Sequence, residues 1–285
     1  VQAPAKINLT LEVLARRADG YHGIRSVMVP LELSDELTVE AADSFSFECD
    51  RDDLAGDANL AVAALRAVFP QPPPMRLRLR KRIPTQAGLG GGSSDAAAVL
   101  RMAMNGTFGT TPQCDWLNVA RSLGSDVPFF LAGTGALVEG TGERVTPAGA
   151  LPPWHVLIVK PPVAISTADA YRAIDERPRP QRPRDDSVSI ASIEALQRAD
   201  FQAVQRLMQN DFQDVIAEAA LAIAAALSAL RRAGASNAML AGSGSCVFTL
   251  SPEAGTIDAI ARSLQLADGY QTFITRFAST GEWRP

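Results

Sequence analysis

The sequence is short of the residues on which metal and redox sites depend. Among 285 residues there are two histidines, His22 and His155, and three scattered cysteines, Cys49, Cys114 and Cys246. No Cys-x-x-Cys pair occurs, which argues against a Cys/His zinc site and against a disulfide framework. Such sparse thiols fit a reducing compartment, and a cytoplasmic location is expected. An excess of positive charge is also missing. Lys and Arg number 27 against 31 Asp and Glu, a net charge of −4, so no global basic field exists to hold nucleic acid or an anionic membrane. The longest apolar run, Ala219–Leu230, falls well below the ~20 residues of a membrane-spanning helix. It reads as an Ala-rich core helix.

What is present is ordinary for a globular protein, with 47% hydrophobic and 20% charged residues. The length allows one large domain or two modest ones. The Pro/Gly cluster of Pro147, Gly149, Pro152 and Pro153 suggests a boundary, giving domains over 1–150 and 151–285.

Strict alternation predicts a strand over Ala5–Val13, with Lys6, Asn8, Thr10 and Glu12 on its polar face. Shorter strands are predicted at Ile24–Pro30, Glu36–Glu40 and Ser44–Cys49, separated in part by a turn at Ser34-Asp35. A helix is predicted over Asn59–Phe69, a strand over Met75–Arg82 and a helix over Pro112–Leu123. Later elements are a strand at His155–Val159, a helix at Thr167–Asp175 and a loop at Glu176–Asp186. Ala/Leu-rich helices then run to Arg232, and strands at Ala238–Leu240 and Cys246–Leu250 flank the loop Gly242-Ser243-Gly244-Ser245. A last helix and a strand at Gln271–Arg276 close the chain.

The segment Pro84–Ala98, PTQAGLGGGSSDAAA, is the most informative. Glycines let backbone N–H groups approach an oxyanion, and a following helix adds unpaired N–H groups and the positive end of its dipole. A strand before and a helix after favour a phosphate loop over a flexible turn capped by Ser93. No lysine follows the glycines, so the segment is not a Walker A loop. It breaks the G-x-G-x-x-G spacing and lies too far along the chain for a dinucleotide fold. Neither glycine loop has the G-x-S-x-G form of a hydrolase nucleophile elbow.

Pro84–Ser94 resembles the phosphate loop of the GHMP kinases. Three further segments are similar to the branch of that family acting on a cytidine diphosphate-linked polyol: Pro4–Leu9, Arg17–His22 and Leu123–Phe130. A fourth, Leu240–Phe248 (LAGSGSCVF), is similar to the third family motif. The resemblance implies an α+β, two-domain GHMP kinase fold. Its N-terminal domain would be like the second domain of ribosomal protein S5, its C-terminal domain α/β, with the site between them. It also implies ATP and Mg2+, and phosphorylation of the 2-hydroxyl of 4-(cytidine 5'-diphospho)-2-C-methyl-D-erythritol in the non-mevalonate isoprenoid pathway. The expected partner is thus a small molecule, and a monomer or weak homodimer is expected.

Carried over residue by residue, the resemblance implies nucleotide binding by Pro84, Thr85, Gln86, Ala87, Gly88, Leu89, Gly90, Gly91, Gly92, Ser93 and Ser94. It also places Asn59 and Lys81 near the adenine, although those two read equally as a helix cap and a strand-end charge. Asp126 becomes the base for the acceptor hydroxyl and Lys6 its partner at the reaction centre. On the residues alone, Asp126 also reads as an N-cap and Lys6 as surface charge. Substrate binding falls to Asn8, Tyr21, His22 and Tyr171, the tyrosines stacking on the cytosine and His22 bonding its edge. No protein metal ligand is assigned. Two positions depart from the family pattern: Ala241, where Ser or Thr is common, and Gln86, where small or apolar residues are common.

Overall fold

The structure, a computed structural model, describes residues 1–18, 20–177 and 186–279. In chain order the first half gives β1 (Gln2–Arg16), β2 (His22–Ala41), β3 (Ser46–Cys49), α1 (Leu60–Val68) and β4 (Met75–Arg80). Next come α2 (Gly91–Met104), α3 (Trp116–Leu123), α4 (Val127–Ala132), β5 (Ala136–Gly140) and β6 (Arg144–Pro147). The second half gives β7 (His155–Lys160), α5 (Thr167–Asp175), α6 (Val188–Gln197), α7 (Phe201–Leu207) and β8 (Gln209–Asn210). It ends with α8 (Gln213–Ala219), α9 (Leu221–Arg232), β9 (Met239–Leu240), β10 (Val247–Ser251), α10 (Ala254–Ser263) and β11 (Gln271–Arg276).

Two sheets result. The first has the order β3-β4-β2-β1-β8, with β5 on β2 and β6 on β5; the second is β11-β7-β10-β9. Its 20 residues make β2 the spine of the first sheet. One edge pairs with β1, while the other pairs with β5 over Ile24–Met28 and with β4 over Glu36–Ala41. The turn expected at Ser34-Asp35 is therefore absent, and the two strands expected there are one. The reason is Asp35, which is fully buried and accepts from the backbone N–H groups of Arg82 and Ile83. An aspartate with buried donors to satisfy works as an anchor inside a strand, not as a turn former.

Helices α1 to α4 supply one hydrophobic cluster, built around Leu65, Val99, Phe129 and Phe130, against β2 and β4. On the other side Ile7, Leu9, Val27 and Val29 meet Val156, Ile158 and Phe248 of the second sheet, with Ile193 and Leu196 of α6. A third cluster joins Leu157 and Val247 to α5, α8, α9 and α10. The second half is also tied into the first sheet: β8 pairs parallel with β1, and Leu31 bridges Phe277.

Other boundaries move for local reasons. The helix expected from Pro112 begins at Trp116, where the Asp115 side chain accepts from Asn118 N–H. The Ala219–Leu230 run is not one helix, because Ala220 is extended and α8 meets α9 at 116°. Among the described residues no single helix is long and apolar enough to cross a membrane. Strands β5 and β6 were not anticipated. Of the loop expected at 176–186, only Glu176, Arg177 and Asp186 are described.

The polar face expected on β1 is real but not solvated: Lys6, Asn8, Thr10 and Glu12 are all buried. Glu12 Oε2 accepts from Ser187 Oγ at 2.5 Å and from Ser189 N–H at 3.1 Å, so a β1 carboxylate anchors the start of α6. A buried charged acceptor serving two donors contributes about 1.5–3 kcal/mol, assisted by the helix dipole. Glu12→Ala should lower unfolding free energy by about that much, read by urea denaturation. An unchanged midpoint would show that α6 is held by packing alone.

Candidate active site

A cavity of about 920 Å³ opens between the first sheet, the glycine loop and α5. Its wall includes Lys6, Asn8, Asn59, Lys81, every residue from Pro84 to Ser93, Asp126 and Tyr171. Most residues of the expected site, from Lys6 to Tyr171, thus converge on one cleft. Three expected residues do not reach it: Ser94, Tyr21 and His22.

The glycine loop is shaped by contacts that leave no room for a Cβ. Gly88, at φ +77°, would place a Cβ 1.9 Å from the Ala241 carbonyl oxygen. The two glycine loops therefore meet backbone to backbone, and Cys246 N–H donates to Ala87 O at 3.1 Å. Gly90, at φ +73°, is the N-cap of α2 and would place a Cβ 2.8 Å from the Phe130 ring. Helix α2 thus begins at Gly91, earlier than a serine cap would start it. Its first N–H groups are left for a ligand instead of a capping side chain. Ser93 faces the cavity next to the Gly124–Asp126 turn, with its Oγ 3.6 Å from where a Gly124 Cβ would sit. Ser94 is buried behind it, and its Oγ has no partner among the described residues.

Lys6 is 4% exposed. Its backbone N–H donates to Leu89 O at 2.9 Å, which fixes β1 to the glycine loop. Its Nζ donates to Asn8 Oδ1 at 2.8 Å and lies 3.6 Å from Asp126 Oδ2. Asp126 occupies the N-cap position of α4, yet its side chain makes no capping bond. The carboxylate is a quarter exposed and turned to the cleft. The pair can therefore present a proton acceptor and a cation to the same small volume.

Lys81 is placed differently. Its Nζ donates to Asp35 at 2.5 Å and to Asp95 at 2.6 Å. Burial opposes its charge, but the two carboxylates outweigh burial and raise its pKa. Asp95 is pushed up to about 8, by burial first, against the pull of Lys81 and with the push of Asp35. This buried cluster sits directly under the loop, with Lys81 Nζ 3.3 Å from where a Gly91 Cβ would be. Asn59 is likewise committed: its Oδ1 caps α1 through Ala61 N–H and its Nδ2 donates to Leu54 O. Both side chains line the cleft while serving the structural roles that remained open from the sequence.

His22 is buried, with Nδ1 3.0 Å from Leu14 O and Nε2 2.9 Å from Asp175 Oδ1. Tyr171 stacks on its ring at 5.5 Å and 8°, and meets Phe212 edge-on. Tyr21 is 69% exposed. Of the three aromatic residues expected at the substrate, Tyr171 lines the cavity, with His22 stacked on its ring and off the wall. Missed from the sequence were Asp35, Asp95 and the cavity-lining Ser166, Thr167 and Ser243. Thr167 and Ser243 share a hydrogen bond at 3.0 Å, joining α5 to the second glycine loop.

Comparison with known proteins decides what this cleft belongs to. The family model described as GHMP kinases N terminal domain matches residues 59–134, and that described as GHMP kinases C terminal matches 192–269. The chain belongs to the GHMP kinase family. A 4-diphosphocytidyl-2-C-methyl-D-erythritol kinase of Pelotomaculum thermopropionicum is 37% identical, covering 96% of both chains. One from Deinococcus radiodurans is 37% identical over 92% of this chain and 87% of its own. A crystal structure of 4-(cytidine 5'-diphospho)-2C-methyl-D-erythritol kinase is 32% identical, with TM-score 0.73, covering 98% of this chain and 99% of its own. Homoserine kinase of Cytophaga hutchinsonii, at 16% identity and TM-score 0.65, shares the fold. The expected α+β GHMP kinase fold is thus the observed one.

The Asp95 cluster gives this kinase fold a pH signature. The folded-state pKa of Asp95, about 8, lies above the ~3.9 of an unfolded aspartate. Its contribution is full below the unfolded value and is lost as pH rises through the folded one. The raised pKa of Lys81 acts only at higher pH. The wild type should therefore lose Tm between pH 5 and 8.5 that Asp95→Asn, which cannot ionise, does not lose. Parallel Tm curves for the two proteins would contradict the assignment.

Proposed function

We infer that the protein is an ATP-dependent small-molecule kinase. It phosphorylates the 2-hydroxyl of 4-(cytidine 5'-diphospho)-2-C-methyl-D-erythritol, a step of the non-mevalonate isoprenoid pathway, and releases ADP. The reading is carried by the Lys6–Asp126 pair, 3.6 Å apart beside the glycine loop, in a chain that aligns almost end to end with the cytidyl kinases. The relevant partner is a small molecule.

Phosphoryl transfer demands positioning and charge neutralisation more than covalent participation. ATP phosphates would lie on the amides of Gly88–Gly92 and the first turn of α2. The acceptor oxygen attacks the γ-phosphorus, its proton passes to an Asp126 carboxylate oxygen, and the bond from the γ-phosphorus to the ADP oxygen breaks. Lys6 faces the transferring phosphoryl oxygens. The cavity-facing Ser93 hydroxyl would suit Mg2+, which keeps few protein oxygens beside substrate phosphates and waters. When bound, the ion supplies charge neutralisation on the phosphates. Tyr171 offers its face to the cytosine. For His22 to bond the base edge through Nε2, the base must displace Asp175. Tyr21 is exposed and stands off the cavity wall. The chain is read as an ATP-binding domain over 1–150 and a second domain over 151–285, cytoplasmic, and a monomer or weak homodimer.

An ADP-release assay with the cytidyl substrate, homoserine, mevalonate and galactose tests the reading. Turnover of the cytidyl substrate alone is expected; comparable turnover of another alcohol would overturn it. Asp126→Asn should lower kcat by about 10²–10⁴ while ATP affinity holds within about twofold. An unchanged kcat would remove Asp126 from the base role.

A further inference from the structure

Behind Lys6 a chain of buried hydrogen bonds leads from the cavity wall, where Lys6 and Asn8 stand, to Ser26 and Thr10, which are not part of that wall. Lys6 Nζ donates to Asn8 Oδ1 at 2.8 Å, Asn8 Nδ2 donates to Ser26 Oγ at 2.8 Å, and Ser26 Oγ donates to the Thr10 carbonyl at 2.6 Å. Asn8, Thr10 and Ser26 are fully buried. The direction of the chain follows from its last link. A carbonyl oxygen can only accept, so the single Ser26 proton is committed to Thr10. Toward Asn8, Ser26 can then only accept, so the nitrogen of the Asn8 amide must face Ser26. The amide oxygen is left facing Lys6. The flipped amide would set an NH2 group against an ammonium and an oxygen against a hydroxyl with no proton to give.

Thr10 is itself held. Its Oγ1 accepts from Val27 N–H at 2.9 Å and donates to Ser189 Oγ at 2.8 Å, which donates to Arg25 O at 3.2 Å. The chain thus begins in the β1–β2 pair and the start of α6, and ends on the ammonium in the cleft. One of the three Lys6 N–H bonds is directed backward, which orients the other two toward Asp126 and the cavity.

We propose that Ser26, although outside the cleft, is a positioning residue for phosphoryl transfer: it fixes the Asn8 amide so that its oxygen aims the Lys6 ammonium at the reacting phosphoryl group. The proposal rests on the kinase reading above and deepens it. It assigns Asn8 to the aiming of Lys6, in addition to any substrate contact.

The test compares Ser26→Ala, Ser26→Thr and Ser26→Val. Thr and Val have the same shape, and only Thr keeps the hydroxyl. With the cytidyl substrate and ATP, Ser26→Ala and Ser26→Val should lower kcat about tenfold, with the KM for ATP within about twofold. Ser26→Thr should stay within about threefold of wild type. If the effect passes through Asn8, Ser26→Ala should cost little further in an Asn8→Ala background. Equal activity of the Thr and Val variants, or full additivity with Asn8→Ala, would overturn the proposal. A readout free of the reaction keeps it separate from the kinase reading. Nitrogen-15 NMR without substrate should show Asn8 side-chain amide protons that exchange slowly in the wild type and rapidly in Ser26→Ala. Equal exchange rates would overturn the amide lock even if the substrate assignment stands; wild-type failure on the cytidyl substrate would overturn the substrate assignment alone.

Discussion

A lysine ammonium with almost no contact with bulk water sets the terms for the rest of the cleft. Taking such a charge out of water costs several kcal/mol unless partners replace the lost hydration. At the Lys6 ammonium the partners come from two elements, Asn8 on the same strand and Asp126 before α4, while the glycine loop is bonded to the lysine backbone N–H at Leu89 O. The spacing is tight. A Cβ on Gly90 would come within 3.1 Å of the Lys6 stem, and one on Gly242 within 3.2 Å of its Nζ. Glycine at both loops thus leaves the lysine its room.

A second buried lysine shows how much the surroundings decide. Lys81 is saturated by two carboxyl groups at 2.5 and 2.6 Å and acts as a strut between β2, β4 and α2. Lys6 has one neutral acceptor within hydrogen-bond distance and a carboxylate at 3.6 Å, beyond ordinary hydrogen-bond range. The same side chain is therefore closed in one place and open to an incoming anion in the other. This also reconciles a net charge of −4 with a cleft for two polyphosphates. Loop amides, the α2 dipole and a placed ammonium are local fields that net charge does not count.

Much of this was legible from residue order. The glycine loop between strand and helix, the alternation of β1, and the family motifs located the cleft, and most of the expected residues line it. What could not be read were burial and partner choice. Asp35 looked like a turn residue because its partners, the backbone amides of Arg82 and Ile83 and the ammonium of Lys81, lie more than 40 positions away. The polar face of β1 looked like a solvent face, since alternation does not say what covers it; Ser26 and α6 do. Asp126 occupies a cap position without capping, a difference of side-chain direction that spacing does not carry. His22 and Tyr21 were placed by resemblance, and the structure puts Tyr171 on the cavity wall in front of His22.

In the proposed function the Lys6 ammonium acts on the transferring phosphoryl group rather than holding the fold or the nucleotide. Rapid-quench single-turnover measurement with Lys6→Met, which keeps the length of the stem without the charge, tests it directly. ATP should bind with near wild-type affinity while the chemical step slows by at least about 100-fold. A chemical step at the wild-type rate would contradict it.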